Sequence, residues 1–452
     1  YFNTLHSAAF RHLGLSPDQT FTGSKLQYFA EEYQYDIKGG LSSDDGTYSS
    51  FFGDDMILFF ENLSRITRKS LNFVFSENDF LIPDPERAWR CIKDFRNFKE
   101  EHGLYDFTDM IEEFVRLDDP PRLEVLMVDE AQDLSELQWM MVFQLAKYVK
   151  RLYIAGDDDQ TIFTWAGASE RFISMPGRVT ILEQSHRVPL YVHQLANRMI
   201  NRVIKRRQKR WFARPELGSV MMLEGISQLD PKTLTDGSVM LLARTTKQLR
   251  QKLIPYCRGY GLPYRYFEAT SIKPSYAHAI HYWNQLLNGK SIPPSEALKI
   301  YNLFPSQGHG KKPGVLYGYK KRLSDIAELP DQPPVSLQEL QYNFGLLVEG
   351  GTWREVFTEI EQSQVEYIER VIANGFDITQ KPTIHISTIH RVKGGQADTV
   401  VLLADTPKAA EKLAAPDPDG ETRVFYTAVT RTYRDLIVVH PDKKYHFEGL
   451  FV

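Results

Sequence analysis

Val128-Asp129-Glu130-Ala131-Gln132-Asp133 closes the apolar run Leu123–Val128, and the fold is read outward from it. A short strand rich in aliphatic residues here delivers two adjacent carboxylates to its carboxyl end. Where strands alternate with helices, the sheet is parallel and ligands sit at the carboxyl ends of its strands. One carboxylate at such an edge can hold Mg²⁺, directly or through water. The next can polarise the water that attacks a γ-phosphate. The same letters also fit a polar strand-to-helix turn with Asp133 or Ser135 capping the helix. Further runs of strand character follow at Arg151–Ala155, Ser238–Ala243, Thr383–Thr388, Thr399–Ala404 and Asp435–His440. Between them, Gln138–Val149 and Pro189–Lys205 space apolar residues by three and four, the helical pattern. The alternation predicts an α/β protein with parallel sheets.

A chain of 452 residues exceeds what one hydrophobic core supports, so several domains are expected. Its 42% apolar and 25% charged residues describe a soluble globular protein rather than a disordered one. No stretch of about 18 uncharged apolar residues is present to span a membrane. No secretory signal pattern opens the chain. It begins at Tyr1 rather than Met, which suggests a fragment. Cys91 and Cys257 stand far apart without a C-x-x-C pattern, against a cysteine-built metal site and in favour of a reducing compartment. A net charge of −4 argues against a wholly basic nucleic-acid binder but leaves room for a local basic groove.

Two stretches interrupt the strand–helix alternation. Residues 20–118 are aromatic and helix-like, with a Gly/Ser/Asp loop at Gly39–Ser50. Residues 276–375 hold amphipathic helices between the Pro/Gly-rich patches Ile292–Ser295, Gln307–Gly314 and Leu329–Val335. Both read as insertions into two α/β cores.

A second polar cluster, Ile154-Ala155-Gly156-Asp157-Asp158-Asp159-Gln160, follows the next strand. Glycine permits a sharp turn, and Gln160 is a neutral group able to sense a phosphate or its water. In the continuation Thr161-Ile162-Phe163-Thr164-Trp165-Ala166-Gly167-Ala168, Phe163 and Trp165 suit base stacking, although an isolated Phe-x-Trp also suits a core. Later come Leu182-Glu183-Gln184-Ser185-His186-Arg187 and Ser387-Thr388-Ile389-His390-Arg391-Val392-Lys393-Gly394-Gly395-Gln396-Ala397-Asp398. Arg423-Val424-Phe425-Tyr426-Thr427-Ala428-Val429-Thr430-Arg431 is the last of them. Singly, each is ambiguous.

In order, these segments resemble the motifs of the UvrD/PcrA/Rep type of superfamily 1 DNA helicases. Asp129–Asp133 matches the DExxQD box and Gly156–Ala168 the GDxxQxIYxWRGA box. Gln184–Arg187 matches QNYR, Thr388–Gln396 matches TxHxxKGxE, and Tyr426–Arg431 matches YVAxTR. Tyr1–Ser7 looks like the T-x-H-S motif, Tyr105–Ile111 like DFxDLL, and Gly261-Leu262-Pro263-Tyr264 like GIPY. The resemblance covers nearly the whole chain.

It implies two RecA-like parallel-sheet motor domains, each interrupted by a mainly helical insertion. The first motor domain would be 1–19 with 119–180, and 20–118 its insertion. The second would be 181–275 with 376–452, and 276–375 its accessory insertion. It further implies that Asp129 holds Mg²⁺, Glu130 activates the attacking water, and Gln160 couples the γ-phosphate to DNA. Arg187 and Arg431 would approach the γ-phosphate, where guanidinium groups stabilise developing charge. Gly394 would offer a backbone N–H to that phosphate. Phe163 and Trp165 would stack on single-stranded bases, while Thr4, His6, Arg244, Thr388 and His390 would touch the DNA strand.

Departures from the family pattern bear on nucleotide binding. His186 stands where a tyrosine stacks on adenine, offering less area. Gln396 replaces the glutamate that accepts from the ribose, and Ala166 replaces an arginine beside Trp165. The second insertion is short for this family. The adenine-reading Gln segment and G-x-G-K-T loop with which the family begins are not found. Gly289-Lys290-Ser291 has Asn284 where that loop needs glycine, and it follows the helical pattern Ala279–Leu287 rather than a strand. The expectation is a truncated copy whose missing first segment carries the loop, inactive as given. The alternative is a natural, ATPase-inactive remnant acting as a single-stranded-DNA-binding or adaptor module. Truncation is preferred because Glu130, Gln160, Arg187 and Arg431 are all present.

The reading is an ATP-dependent DNA helicase or translocase using ATP and Mg²⁺, moving 3′ to 5′ on single-stranded DNA. Its partners would be single-stranded DNA and single-strand/duplex junctions, in repair, replication or recombination. No membrane is expected, and the setting would be cytoplasmic, nucleoid-associated in a bacterium or phage. The basic run Lys205-Arg206-Arg207-Gln208-Lys209-Arg210-Trp211 could contact DNA phosphates or duplex, or be a solvated helix end. A helicase–nuclease motor is a further reading, but no carboxylate cluster with a nearby lysine follows Arg431. An RNA helicase fits the boxes less closely.

Overall fold

A computed structural model describes residues 3–39, 53–78, 81–82, 84–305, 314–406, 418–441 and 447–451. Tyr1 and Phe2 of the T-x-H-S-like segment lie outside the described residues, as do most of the loops Gly39–Ser50 and Gln307–Gly314. The chain forms two compact units. One comprises Tyr1–Gly225, Leu242–Thr246 and Thr388–Val452, and the other Ile226–Leu241 and Lys247–Ser387.

In the first unit, strands β1 (Val125–Val128) and β2 (Arg151–Ile154) pair in parallel, Val125 opposite Arg151 and Val128 opposite Ile154. β3 (Ser219–Leu223) runs parallel to the later strand Thr432–Val439, which in turn runs parallel to Ala397–Leu403. Val400–Leu403 and Leu436–Val439 are buried, as both faces of a parallel sheet require. Among the described residues, six α-helices precede β1: α1 (Leu5–His12), α2 (Gly23–Tyr33), α3 (Asp55–Thr67), α4 (Leu71–Glu77), α5 (Pro85–Glu101) and α6 (Phe107–Leu117). Phe29, Phe59, Phe60, Phe95 and Phe98 fill the core among α2, α3 and α5. The aromatic richness of 20–118 is therefore core packing. Asp106 caps α6 by accepting from the Asp109 N–H, and Asp109 accepts in return from Asp106 N–H. α7 (Glu136–Leu145) follows β1, with a reciprocal cap between Ser135 and Gln138.

β4 (Val239–Ala243) and Ile384–Thr388 each begin in the second unit and end in the first. Within the second unit, the Val239 N–H donates to Thr383 C=O at 3.1 Å. The same unit holds the parallel pairing of Tyr264–Tyr266 with Ile384–Ile386. Its helical part closes on Trp283, Phe304 and Phe357, with Trp283 Nε1 donating to Gly351 C=O at 2.9 Å. The helix Pro274–Leu287 carries Gly289-Lys290-Ser291 at its end, so that triplet follows a helix as predicted.

The architecture is thus mixed α/β with parallel sheets, as expected of RecA-like motor domains. Both cysteines are buried and free, and burial pushes the Cys91 thiol up to about 12, so neither is a poised nucleophile. No helix among the described residues is long and apolar enough to cross a membrane.

Candidate functional site

Asp129 and Glu130 leave the carboxyl end of β1 exposed. Glu130 has φ 50°, a left-handed conformation that costs a non-glycine residue about 1–3 kcal/mol. The Asp129 carboxylate accepts from the Glu130 N–H at 2.9 Å. The turn is stapled to the strand beside it. Ala155 N–H donates to Val128 C=O, and Ala131 N–H donates to Ala155 C=O. Buried Gln132 joins the two polar clusters. Its amide nitrogen donates to Glu130 Oε2 at 2.5 Å, and its oxygen accepts from Asp157 N–H at 3.0 Å. A Cβ on Gly156 would come within 2.4 Å of that Gln132 oxygen, so a larger residue there would push the Gln132 side chain out of this link. Two carboxylates at an exposed strand end are the hard-oxygen set that Mg²⁺ takes together with phosphate oxygens and water. The residues present therefore fit that ion.

Gln160 stands where the segments converge. Its Nε2 donates to Asp157 Oδ2 at 2.7 Å, and its Oε1 accepts from Arg431 Nη2 at 2.6 Å. Its carbonyl accepts from Lys393 Nζ at 2.7 Å, and the same ammonium reaches both oxygens of Asp133 at 2.6 Å. Burial raises the Asp133 pKa, with Lys393 opposing. Lys393 was not singled out from sequence. Its signal is the lysine inside the TxHxxKGxE box.

Arg431 is almost wholly buried, and also donates to Thr427 C=O at 2.9 Å and Gly395 C=O at 3.3 Å. Burial, with Arg187 nearby, lowers its pKa to about 10. Half-buried Arg187 donates to Gln396 Oε1 at 3.1 Å and Thr430 C=O at 3.2 Å, and burial lowers its pKa as well. The two arginines thus meet at Thr430, Arg187 on its carbonyl and Arg431 on its hydroxyl, each held by neutral acceptors. Gly394 is exposed at φ 84°, with open space where a side chain would be, and His186 is exposed.

The residues expected to meet DNA have these partners. Phe163, Trp165 and His390 gather, with His390 6.0 Å from Phe163 and 6.5 Å from Trp165 between ring centroids. Trp165 also stacks on Phe59 at 6.0 Å, so the helical insertion supports one of its faces. Burial, reinforced by Arg244, holds the His390 pKa well below its ordinary value, leaving a neutral ring. Thr388 and His390 are buried. So is Arg244, whose guanidinium Nε donates to the Glu421 carboxylate at 3.0 Å. Thr4 and His6 have partners at the start of α1 and in α6. Thr4 caps α1 by accepting from Ser7 N–H, and His6 packs edge-on against Phe107 at 5.5 Å.

The basic run 205–210 is not a helix end, and only part of it is solvated: Lys205 and Arg210 are exposed, whereas Arg206 and Lys209 turn inward. The helix before it stops at Ile200, and the side chains of Arg206 and Lys209 are only 3% and 15% exposed. Both are paired with the Asp157–Asp159 carboxylates.

Residues 2–176 match the UvrD/REP helicase N-terminal domain, and residues 383–439 match the UvrD-like helicase C-terminal domain. The chain is 24% identical over 224 residues to the ATP-dependent DNA helicase Rep of Buchnera aphidicola, covering 44% of this chain and 34% of that protein. It is 30% identical over 159 residues to the ATP-dependent DNA helicase PcrA of Bacillus subtilis, 32% of this chain and 22% of that one. With DNA helicase II of Escherichia coli it shares 28% over 230 residues, 43% and 32% of the respective chains. It therefore spans about a third or less of the length of these relatives.

Proposed function

We propose that this chain, which belongs to the UvrD/Rep helicase family, forms motor domains of an ATP-dependent translocase and helicase on single-stranded DNA. The observation that carries the reading is the convergence on Gln160. Asp157, Arg431 and Lys393 hold its side chain and carbonyl, and Gln132 links Asp157 to Glu130. Four of the motif segments thereby share one hydrogen-bonded network. Such a network can pass a change at the nucleotide side to the aromatic side, because Phe163 and Trp165 follow Gln160 directly in the chain.

ATP bound with Mg²⁺ would supply the phosphoanhydride whose cleavage drives the cycle. Asp129 would hold the metal, and Glu130, aimed by its left-handed backbone, would orient and deprotonate the attacking water. Arg187 and Arg431 would stabilise charge developing on the transferred phosphoryl group. Both are presented among carbonyl and amide oxygens rather than carboxylates, so their charge is not already neutralised. Gln396 and His186 would face the ribose and adenine, and Gly394 a phosphate oxygen. Phe163 and Trp165 would stack on bases, with Thr4, His6, Arg244, Thr388 and His390 around the strand. Movement 3′ to 5′, action at single-strand/duplex junctions and a cytoplasmic setting complete the proposal.

The test is DNA-stimulated ATP hydrolysis by the full-length protein. Glu130→Gln is expected to lower kcat by about 10²–10⁴-fold, the range for losing a general base. DNA-stimulated hydrolysis that survives this change would overturn the assignment. DNA binding that no nucleotide alters, without hydrolysis, would instead indicate a non-catalytic binding module.

A further inference from the structure

The Asp157–Asp159 triplet crowds three carboxylates onto one turn, and Asp158 and Asp159 are buried. Charges so placed are costly unless each is paired and hydrogen-bonded. Most of the partners come from the loop after the helix Leu190–Ile200. Arg206 grips Asp159 with Nε at 2.8 Å and Nη2 at 2.7 Å. The Arg207 N–H donates to Asp158 Oδ2 at 2.8 Å, and Arg423 Nε donates to the Asp158 carbonyl at 3.1 Å. Lys209 Nζ meets all three acids: Asp157 Oδ1 at 2.7 Å, Asp159 Oδ2 at 3.2 Å, and Asp158 Oδ1. A compact ammonium with three donors suits three separate acceptors better than a planar guanidinium does.

Asp157 differs from its two neighbours in the use of its second oxygen. Oδ2 accepts from the Gln160 amide nitrogen. A carboxamide has one donor end and one acceptor end. With Asp157 taking the donor end, the oxygen is turned to Arg431. A reversed amide would set its NH₂ against a guanidinium that only donates. We propose that Lys209 is a positioning residue which, by holding Asp157 Oδ1, determines which end of the Gln160 amide faces Arg431. The basic run then serves the motor from behind rather than gripping DNA. Its geometry stands alone, while its effect on turnover rests on the motor reading above.

The test uses the chain labelled with [¹⁵N]glutamine, the Gln160 carboxamide signal being assigned by its loss in Gln160→Met. Lys209→Met is expected to shift that signal and speed its hydrogen exchange roughly tenfold, leaving other glutamine signals in place. Lys209→Arg should restore it only in part, because a planar guanidinium serves three separate carboxylates less well. Asp157→Asn, a milder change, should reproduce the shift, and the double variant should add nothing further. A Gln160 signal unmoved in folded Lys209→Met overturns the proposal. If that variant does not fold, an unmoved signal in Asp157→Asn does so. In the full-length protein, Lys209→Met should lower kcat for DNA-stimulated hydrolysis by roughly tenfold while KM for ATP stays within about threefold, and Lys209→Arg should recover it in part. A moved signal with unchanged kcat removes the functional half. A wild-type protein without DNA-stimulated hydrolysis refutes the motor reading, and the amide signal still decides the positioning role.

Discussion

Arg65 and Lys99 meet Asp106, Asp109 and Glu112 within the helical insertion, whereas Arg206 and Lys209 meet Asp157, Asp158 and Asp159 beside the candidate site. Both networks bury carboxylates against two cations. In the first, Asp106 and Asp109 lie at the start of α6 and double as its cap, and Glu112 follows within the helix. Lys99, from α5, donates to Asp109 at 2.7 Å, and Arg65, from α3, to Asp106 at 3.0 Å and Glu112 at 2.8 Å. Burial opposes ionisation of Asp106, yet Lys99 and Arg65 hold its pKa at about 2, while burial and Asp106 itself raise that of Asp109. These contacts tie three helices together and end there. In the second network, burial likewise opposes ionisation of Asp157, and Lys209 overcomes it. One Asp157 oxygen then continues to Gln160. A network whose acceptors all turn inward gives rigidity; one with an acceptor left for a further residue passes on an orientation.

Removing a cation from the inward-turned network should give the largest loss of stability. Lys99→Met leaves Asp106 and Asp109 buried with one cation fewer, which costs about 3–5 kcal/mol when a buried pair is broken. Urea unfolding would read it, and a loss below about 1 kcal/mol would mean that water replaces the ammonium there. Next is Trp165→Ala. It empties a half-buried site stacked on Phe59 and should cost about 2 kcal/mol, below the range for a fully buried tryptophan. The same change should weaken single-strand binding by about 1–3 kcal/mol if the indole stacks on a base. Lost stability with unchanged DNA affinity would make Trp165 core packing alone and remove it from the proposed DNA site.

The parallel strands and their polar ends were legible because short aliphatic runs ending in acids or glycine leave a strong local pattern. β1 and β2 lie within the predicted Leu123–Val128 and Arg151–Ala155. β3 was not anticipated, since Ser219–Leu223 carries two exposed methionines in place of a β-branched run. Tyr264–Tyr266 is too short and polar to read as a strand. Pro189–Lys205 reads as one helix, but the helix ends at Ile200, and the Ile204 and Lys205 N–H groups donate to the Asp419 carboxylate rather than along a helix. The pairing of Gln160 with Arg431, 271 positions apart, has no local trace. Only the family resemblance set the two in one site, and it said nothing of Lys209. Ionic partners distant in sequence are invisible to periodicity, because charge spacing along a chain carries no register.

The smallest expected effect separates the two uses of one basic run. Lys205 stands beside Arg206, but its side chain is 67% exposed and pairs at 3.2 Å with a Glu170 that is 61% exposed. A pair in that setting contributes about 0.5 kcal/mol or less. Lys205→Ala should therefore leave stability almost unchanged. If the run gripped DNA phosphates, the same substitution would lower affinity for every sequence alike and reduce the salt slope of binding by about 1. The inward pairing of Arg206 and Lys209 predicts no such change in slope. A slope reduced by about 1 would return at least the exposed end of the run to the DNA surface. An unaltered slope would leave its buried members as supports of Gln160, distinguishing by ionic strength two functions that the sequence writes in the same letters.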